Sequence, residues 1–281
     1  MSSLFDFDAP PDRYAVMGNP VAHSKSPLIH ADFARQTRQR MTYEAIQVDE
    51  GGLEQAVGNF QANGGKGLNI TIPFKHEAWE MMDERSAAAE RAGAVNTIVF
   101  KHDGSRYGDN TDGIGLVRDI VDNHGGQIAG QRVLILGAGG AVRGVLGPIL
   151  EQHPLEIVIA NRTVDKAVAL AEEFTASIPV TAGGYADLDE KPFDLIINGT
   201  SASLNDELPP VPSSVLSIRS WCYDMMYGDK PTIFMRWAID HGAASCSDGL
   251  GMLVEQAAES FYLWRKVRPD SAPVIASLRK S

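Results

Sequence analysis

Apolar residues come in short runs along this chain, separated by stretches that show either helical spacing or glycine and proline punctuation. Residues 13–17 form a compact apolar run ending at Gly18, the pattern of a buried strand. Ser26 with Pro27 then supplies the N-cap and first position of a helix through about residue 38. Residues 43–48 are strand-like, and 53–63 carry helical spacing before Gly64 and Gly65. A strand over 67–73 is stopped by Pro73, because proline cannot donate to a sheet ladder. A helix over 77–91, rich in Ala, Glu and Met, and a strand over 96–101 come next. Strands alternating with helices predict a mostly parallel sheet.

The pattern then restarts. A helix is expected from about Asp112 through 123, then a continuous apolar strand over 131–137 and a helix running to Leu150. Strands at 156–160, 193–198 and 221–224, with a helix over 165–174, make a βαβ series of the dinucleotide-binding kind. The last helix, from Met252 to about 267, is apolar on one face (Leu253, Ala257, Phe261, Trp264) and is expected to pack back on the first domain. The first dozen residues, with Pro10 and Pro11, read as an extension expected to be loosely ordered.

Composition narrows the class. At 281 residues the chain is comfortable for two domains, and 44% hydrophobic with 22% charged residues is ordinary for a globular protein. No apolar run is long enough to span a bilayer, and the first residues lack a basic segment leading into an apolar one, so a cytoplasmic location is expected. The net charge of −11 disfavours nucleic acid and anionic membrane as partners. It leaves an anionic metabolite open, because a local pocket can be positive on an acidic protein. Cys222 and Cys246 are too few for a disulfide framework and lack metal-ligand spacing, so no metal is expected and both read as small buried or half-buried side chains.

Three polar, punctuated segments adjoin the apolar runs of the first half: Gly18-Asn-Pro-Val-Ala-His-Ser-Lys-Ser-Pro27, Asn69-Ile-Thr-Ile-Pro-Phe-Lys75 and Gly108-Asp-Asn-Thr-Asp-Gly113. Hydroxyls and amides there suit a small, oxygen-rich anion, and one lysine with one aspartate can move a proton. In the second half, Gly137-Ala138-Gly139-Gly140-Ala141 lies between a strand and a helix, where glycines let backbone amides approach a pyrophosphate. Such a loop can also be a turn that binds nothing, and Val142 departs from the common Gly-x-Gly-x-x-Gly pattern. At the end of the second strand, where NAD enzymes usually place a carboxylate, stand Asn161, Arg162 and Thr163. A guanidinium there suits a 2′-phosphate, so NADP is the implied cofactor. The alternatives for Arg162 are a solvated arginine or a cap on the following helix; its position relative to the glycine loop favours the phosphate.

From about Tyr14 to Pro273 these segments resemble, nearly word for word, those of shikimate dehydrogenases. The resemblance implies an α/β fold of two domains. Residues 1–111, completed by C-terminal helices in 249–281, would bind substrate; 112–248 would be a Rossmann NADP-binding domain, with the active site in the cleft. It implies Lys75 and Asp112 as the catalytic pair, and Ser24 and Ser26 on the substrate carboxylate. Asn69, Thr71, Asn96 and Gln256 would contact ring hydroxyls or that pair, and Tyr227 would reach the carboxylate side. Cofactor contacts would come from Gly137, Ala138, Gly139, Gly140, Ala141, Asn161, Arg162, Thr163, Thr200, Ser201, Met225 and Gly249. His23 is expected to pack or hydrogen-bond structurally. In Asn198-Gly-Thr-Ser-Ala-Ser-Leu204 the family's glycine is replaced by Ser203, which is expected to narrow the loop over the nicotinamide. The implied activity is reversible NADPH-dependent reduction of 3-dehydroshikimate to shikimate by a monomer or homodimer. A quinate/shikimate dehydrogenase able to use NAD, and a non-catalytic NADP sensor, are the rival readings; a sensor would need neither Lys75 nor Asp112.

Overall fold

The computed structural model describes residues 10–174, 178–189 and 191–280, so most of the expected N-terminal extension lies outside the described residues. Two compact units are present. The first holds the residues up to Glu90, Ala94–Thr111 and Ala257–Val274. Its strands are β1 (Asp12–Gly18), β2 (Met41–Gln47), β3 (Gly65–Ile70), β4 (Glu84–Arg85), β5 (Thr97–Phe100) and β6 (Arg106–Asp109), in the order β2-β1-β3-β5-β6-β4. β1 is parallel to β2 and β3, whereas β5 runs antiparallel to both its neighbours.

Side chains alternate across this sheet, as the pleat requires. Ala15, Met17, Leu68, Ile70 and Ile98 face a core filled by Leu53, Val57 and Phe60 of α2 (Leu53–Ala62) and by Phe74 and Ala78 around α3 (Lys75–Glu80). On the opposite face Tyr14 lies 4.7 Å from the ring of Trp264, and Phe33 of α1 (Ser26–Thr37) lies 5.7 Å from Phe261, so the long C-terminal helix does return to this unit.

The helix expected over 77–91 is broken. α3 ends at Glu80, β4 intervenes, and α4 covers Ala87–Ala92. The cause is tertiary: the amide of Asp83 donates to the Arg106 carbonyl (3.1 Å), its carboxylate accepts from the Arg106 amide (2.8 Å), and the Ser86 amide donates to Gly108 (2.9 Å). Sheet pairing with β6 thus overrides a good local helix propensity.

The second unit holds Arg91–Gly93, Asp112–Gln256 and the residues from Ile275 onward. It opens with α5 (Asp112–Arg118), extended by one π-helical turn, and continues through β7 (Arg132–Leu136), α6 (Gly140–Leu150), β8 (Glu156–Ala160), α7 (Val164–Glu173), β9 (Val180–Gly183) and β10 (Leu195–Asn198). β11 (Trp221–Asp224), α8 (Ile233–Asp240), β12 (Ser245–Asp248), α9 (Leu250–Arg265) and α10 (Ala272–Leu278) complete the chain. The sheet order is β12-β11-β10-β7-β8-β9 with every pair parallel. This is the doubly wound dinucleotide-binding arrangement, with its switch point between β7 and β10.

β7 explains the unbroken apolar run in the sequence: Val133 and Ile135 enter one core while Leu134 and Leu136 enter the other, so both faces are dry. α9 is divided at Gln256/Ala257, beyond the return expected at 249. The end of the chain also differs from the expected completion of the first domain: residues from Ile275 cluster with the second unit, where Arg279 pairs with Asp248 (2.6 and 3.1 Å).

Gly67 on β3 lies directly under the Trp264 indole. A Cβ there would fall 2.3 Å from Nε1 and 2.7 Å from the Ile98 carbonyl that this nitrogen bonds. Gly67→Ala should therefore destabilise the protein by about 1–3 kcal/mol in chemical denaturation.

Candidate active site

In the first unit, the loops after β1 and β3 leave neighbouring strand ends together. The Asn19 amide donates to the Ile72 carbonyl (3.0 Å) and the Thr71 amide to Met17 (2.9 Å). The first loop carries Ser24 and Ser26. Ser24 Oγ accepts from the Ser26 amide at 3.3 Å, and Ser26 is the first helical residue rather than the expected N-cap, a position held by Lys25 without a side-chain bond. Pro27 still falls in the first turn, as the sequence required, but Ser26 is buried, close enough to the Tyr43 phenol to favour its ionised form slightly. His23 is exposed and makes no hydrogen bond among the described residues, contrary to the structural role expected of it.

Tyr43 donates to Asn69 Oδ1 at 2.7 Å, and Asn69 Nδ2 faces the Asn96 carbonyl (3.0 Å), Thr97 Oγ1 (3.1 Å) and Ser260 Oγ (3.0 Å). Asn96 in turn accepts from the Thr111 amide (2.9 Å) and donates to its hydroxyl (3.0 Å). Asn69 and Asn96 are therefore brought into one buried network together with Tyr43, Thr97, Thr111 and Ser260, which sequence reasoning missed, and Ser26 is buried near Tyr43 at its edge. Thr111 lies inside a motif of the sequence; Tyr43 and Ser260 are indistinguishable there from ordinary strand and helix residues. Thr71 is half-buried. Lys75 is also half-buried and opens α3, its carbonyl accepting from the Val95 amide at 2.8 Å.

In the second unit, a pocket of about 520 Å³ opens at the C-terminal strand ends. Gly137 to Ala141 after β7, Asn161 and Arg162 after β8, Tyr185 after β9, and Gly199, Thr200, Ser201 and Ala202 after β10 line it. Gly137 has φ +107°, open to glycine alone without strain, and its amide donates to the Ala160 carbonyl (2.8 Å). Asn161 Nδ2 holds the Thr163 carbonyl at 2.9 Å, shaping the turn that projects Arg162. Arg162 is exposed and has no ion-pair partner among the described residues. Thr163 is the N-cap residue of α7 and stands outside the walls. Tyr185 carries no signal in the sequence; burial pushes its phenol above the ordinary value, with Arg162 close enough to pull the other way.

Met225 and Gly249 form a separate contact, so close that a Cβ on Gly249 would lie 2.2 Å from the Met225 carbonyl oxygen. Asp112 is half-buried and opens α5, as Lys75 opens α3. Gln256 Nε2 donates to the Leu253 carbonyl at 2.8 Å within α9. Tyr227 is 37% exposed, and burial of the remainder raises its phenol, keeping it a donor at neutral pH.

Three family models match consecutive parts of the chain: a shikimate dehydrogenase substrate binding domain over residues 16–98, a shikimate / quinate 5-dehydrogenase over 119–205, and a shikimate 5′-dehydrogenase C-terminal domain over 249–279. Curated relatives named shikimate dehydrogenase (NADP(+)) include one from Nitrosococcus oceani, 58% identical over 96% of each chain, and one from Alkalilimnicola ehrlichii, 60% identical over 95% of this chain and 98% of its own. Among solved structures, an Ael1 enzyme from Pseudomonas putida is 48% identical with a TM-score of 0.92 over 95% of this chain and 98% of its own. A Thermus thermophilus shikimate 5-dehydrogenase in complex with NADP(H) and shikimate is 32% identical with a TM-score of 0.85, covering 96% of this chain and 99% of its own.

His30 marks the network from behind. It is fully buried and stacked 4.2 Å from Tyr43, and neither ring nitrogen has a hydrogen-bond partner among the described residues; Asn69, near enough to favour the cation slightly, meets neither with bonding geometry. Burial lowers its pKa to about 3. The unfolded chain protonates this ring below roughly pH 6.5, so the unfolded state binds more protons between about pH 6.5 and 3. Stability is therefore fully present above the unfolded value and is lost as pH falls through that window. His30→Phe should flatten the decline of Tm between pH 7 and 5, and an unchanged slope would assign the decline to other groups.

Proposed function

The chain belongs to the shikimate dehydrogenase (NADP+) family, and we propose that the residues of its two units divide the family's reaction between them, with most of the substrate-binding residues in the first and the NADP-binding residues in the second. The activity is reversible NADPH-dependent reduction of 3-dehydroshikimate to shikimate, an oxidoreductase step of aromatic amino acid (chorismate) biosynthesis. The observation that carries the cofactor assignment is the pocket at the switch point, with a glycine-rich rim and, at the end of β8, an Arg162 that has no ion-pair partner among the described residues. Its donors fit NADP: backbone amides at the N-terminus of α6 suit a pyrophosphate, and Arg162 with Asn161 suits a 2′-phosphate. Bound there, the cofactor supplies or accepts the hydride.

This chain's own residues do the rest. Lys75 donates the proton that the substrate oxygen needs on reduction, its ammonium stabilising the negative charge that develops on that oxygen. Asp112 accepts a hydrogen bond from the same hydroxyl and holds the ammonium in place; in the oxidative direction the neutral Lys75 amine takes that proton back as the hydride leaves. Ser24 and Ser26 bind the substrate carboxylate, with Tyr227 as a further donor. Asn69, Thr71, Asn96 and Gln256 contact ring hydroxyls or orient the residues that do. Thr163, Thr200, Ser201, Met225 and Gly249 complete the cofactor contacts. We place the enzyme in the cytoplasm as a monomer or homodimer, a compartment consistent with two free thiols. A quinate-using reading is kept because one matching family model covers both substrates. Oxidation assays crossing shikimate and quinate with NADP and NAD test the proposal directly, and turnover of quinate with NAD at comparable efficiency would overturn it.

If Lys75 acts in the transition state, Lys75→Met should lower kcat by roughly a hundredfold or more with KM little changed. Near-normal kcat would remove lysine from the mechanism. Arg162→Ala should cost roughly 1.5–3 kcal/mol of NADP binding, about one to two decades in affinity, and leave NAD nearly unaffected. Equal loss of both cofactors would show that the turn after β8 does not read the 2′-phosphate.

A further inference from the structure

Asp224 closes β11 with its side chain fully buried, and it is not a wall of the switch-point pocket. It accepts from Thr232 Oγ1 (2.6 Å), Ser203 Oγ (2.8 Å), the Met226 amide (3.0 Å) and Asn198 Nδ2 (3.2 Å). Those donors belong to four pieces of chain: the N-cap of α8, the loop after β10, the segment after β11 and the end of β10 itself. Asn198 extends the tie, since its Oδ1 accepts from the amide and hydroxyl of Thr200 at 3.1 and 2.8 Å. Thr200 and Ser201 are pocket walls, and Met225 comes directly after Asp224.

The expectation that Ser203 narrows this loop is not met. Ser203 lies outside the pocket walls, and its hydroxyl turns inward, donating to Asp224 and accepting from Asn198 Nδ2 at 3.3 Å. With its lone pairs occupied by protein donors, Asp224 has no capacity left for a ligand, so its influence must be exerted through the segments it holds. A glycine at 203 would lack the hydroxyl and leave the loop fixed by its remaining bonds.

We propose that the Ser203–Asp224 hydrogen bond is a positioning contact that holds the loop of residues 199–203 in its cofactor-receiving form before NADP arrives. The inference rests on the assignment of the switch-point pocket to NADP. Affinity for a site that is ready only part of the time falls by the fraction that is ready, so loosening the clasp weakens binding without removing any cofactor contact.

The test is Ser203→Ala, which deletes the hydroxyl and keeps Cβ. NADP+ affinity is measured by calorimetry, and amide hydrogen exchange across 199–203 is monitored in the cofactor-free protein. Ser203→Ala is expected to raise the NADP+ Kd by about tenfold and to speed exchange of those amides by a similar factor. Arg162→Ala should weaken NADP+ with exchange unaltered. An unchanged Kd in Ser203→Ala, with or without faster exchange, overturns the positioning role. If Arg162→Ala also binds NADP+ normally, the pocket assignment is what has failed.

Discussion

A parallel sheet covered by helices on both faces uses its backbone hydrogen bonds internally and keeps both surfaces dry, which leaves polar chemistry only the loops at strand ends. The second unit shows the consequence: β7 puts Val133 and Ile135 in one core and Leu134 and Leu136 in the other, so this apolar run has no side chain to offer a ligand, and the pocket is built from the loops after β7, β8, β9 and β10. The first unit obeys the same constraint where its sheet is parallel. Ser24 and Ser26 lie beyond the end of β1, and Thr71 and Lys75 beyond the end of β3, its neighbour in the sheet.

Polar groups that do enter the interior are used on one another. Asn69 and Asp224 are each surrounded by protein donors or acceptors, so their contribution to chemistry is the angle and reach of the loops they hold. The pattern recurs at Asp119, buried beneath α9, which takes a 2.6 Å bond from the Tyr223 hydroxyl and a 2.9 Å bond from Asn123. A partly satisfied network in a low-dielectric interior would be costly, which favours such complete sets. Among the described residues His30 and the Trp79 indole nitrogen are exceptions, and His30 is tolerated as a neutral ring packed among aromatics. Arg162 is the converse case: exposed, without an ion-pair partner among the described residues, and therefore available to an anion.

Membership of the family, the two-domain α/β architecture and most strands are legible in the sequence because each depends on local patterning. β11 matches its expected bounds to the residue, since apolar Trp221-Cys-Tyr ends at a polar Asp224. The glycine loop and Arg162 are legible because strand, turn and helix are consecutive in the chain. Tertiary structure alone decided everything set by partners distant in sequence. β6, Arg106-Tyr-Gly-Asp109, has no alternation of its own and exists because β5 and β4 pair with it, which in turn breaks the expected helix over 77–91. Tyr43, Ser260 and Tyr185 carry no motif and reach the polar networks and the pocket only through packing. Ser203 makes the same point: the sequence marks it as a departure, but whether its hydroxyl faces the pocket or the interior depends on Asp224, placed by a separate strand, because a side chain's direction is set by the acceptor that the fold brings within its reach.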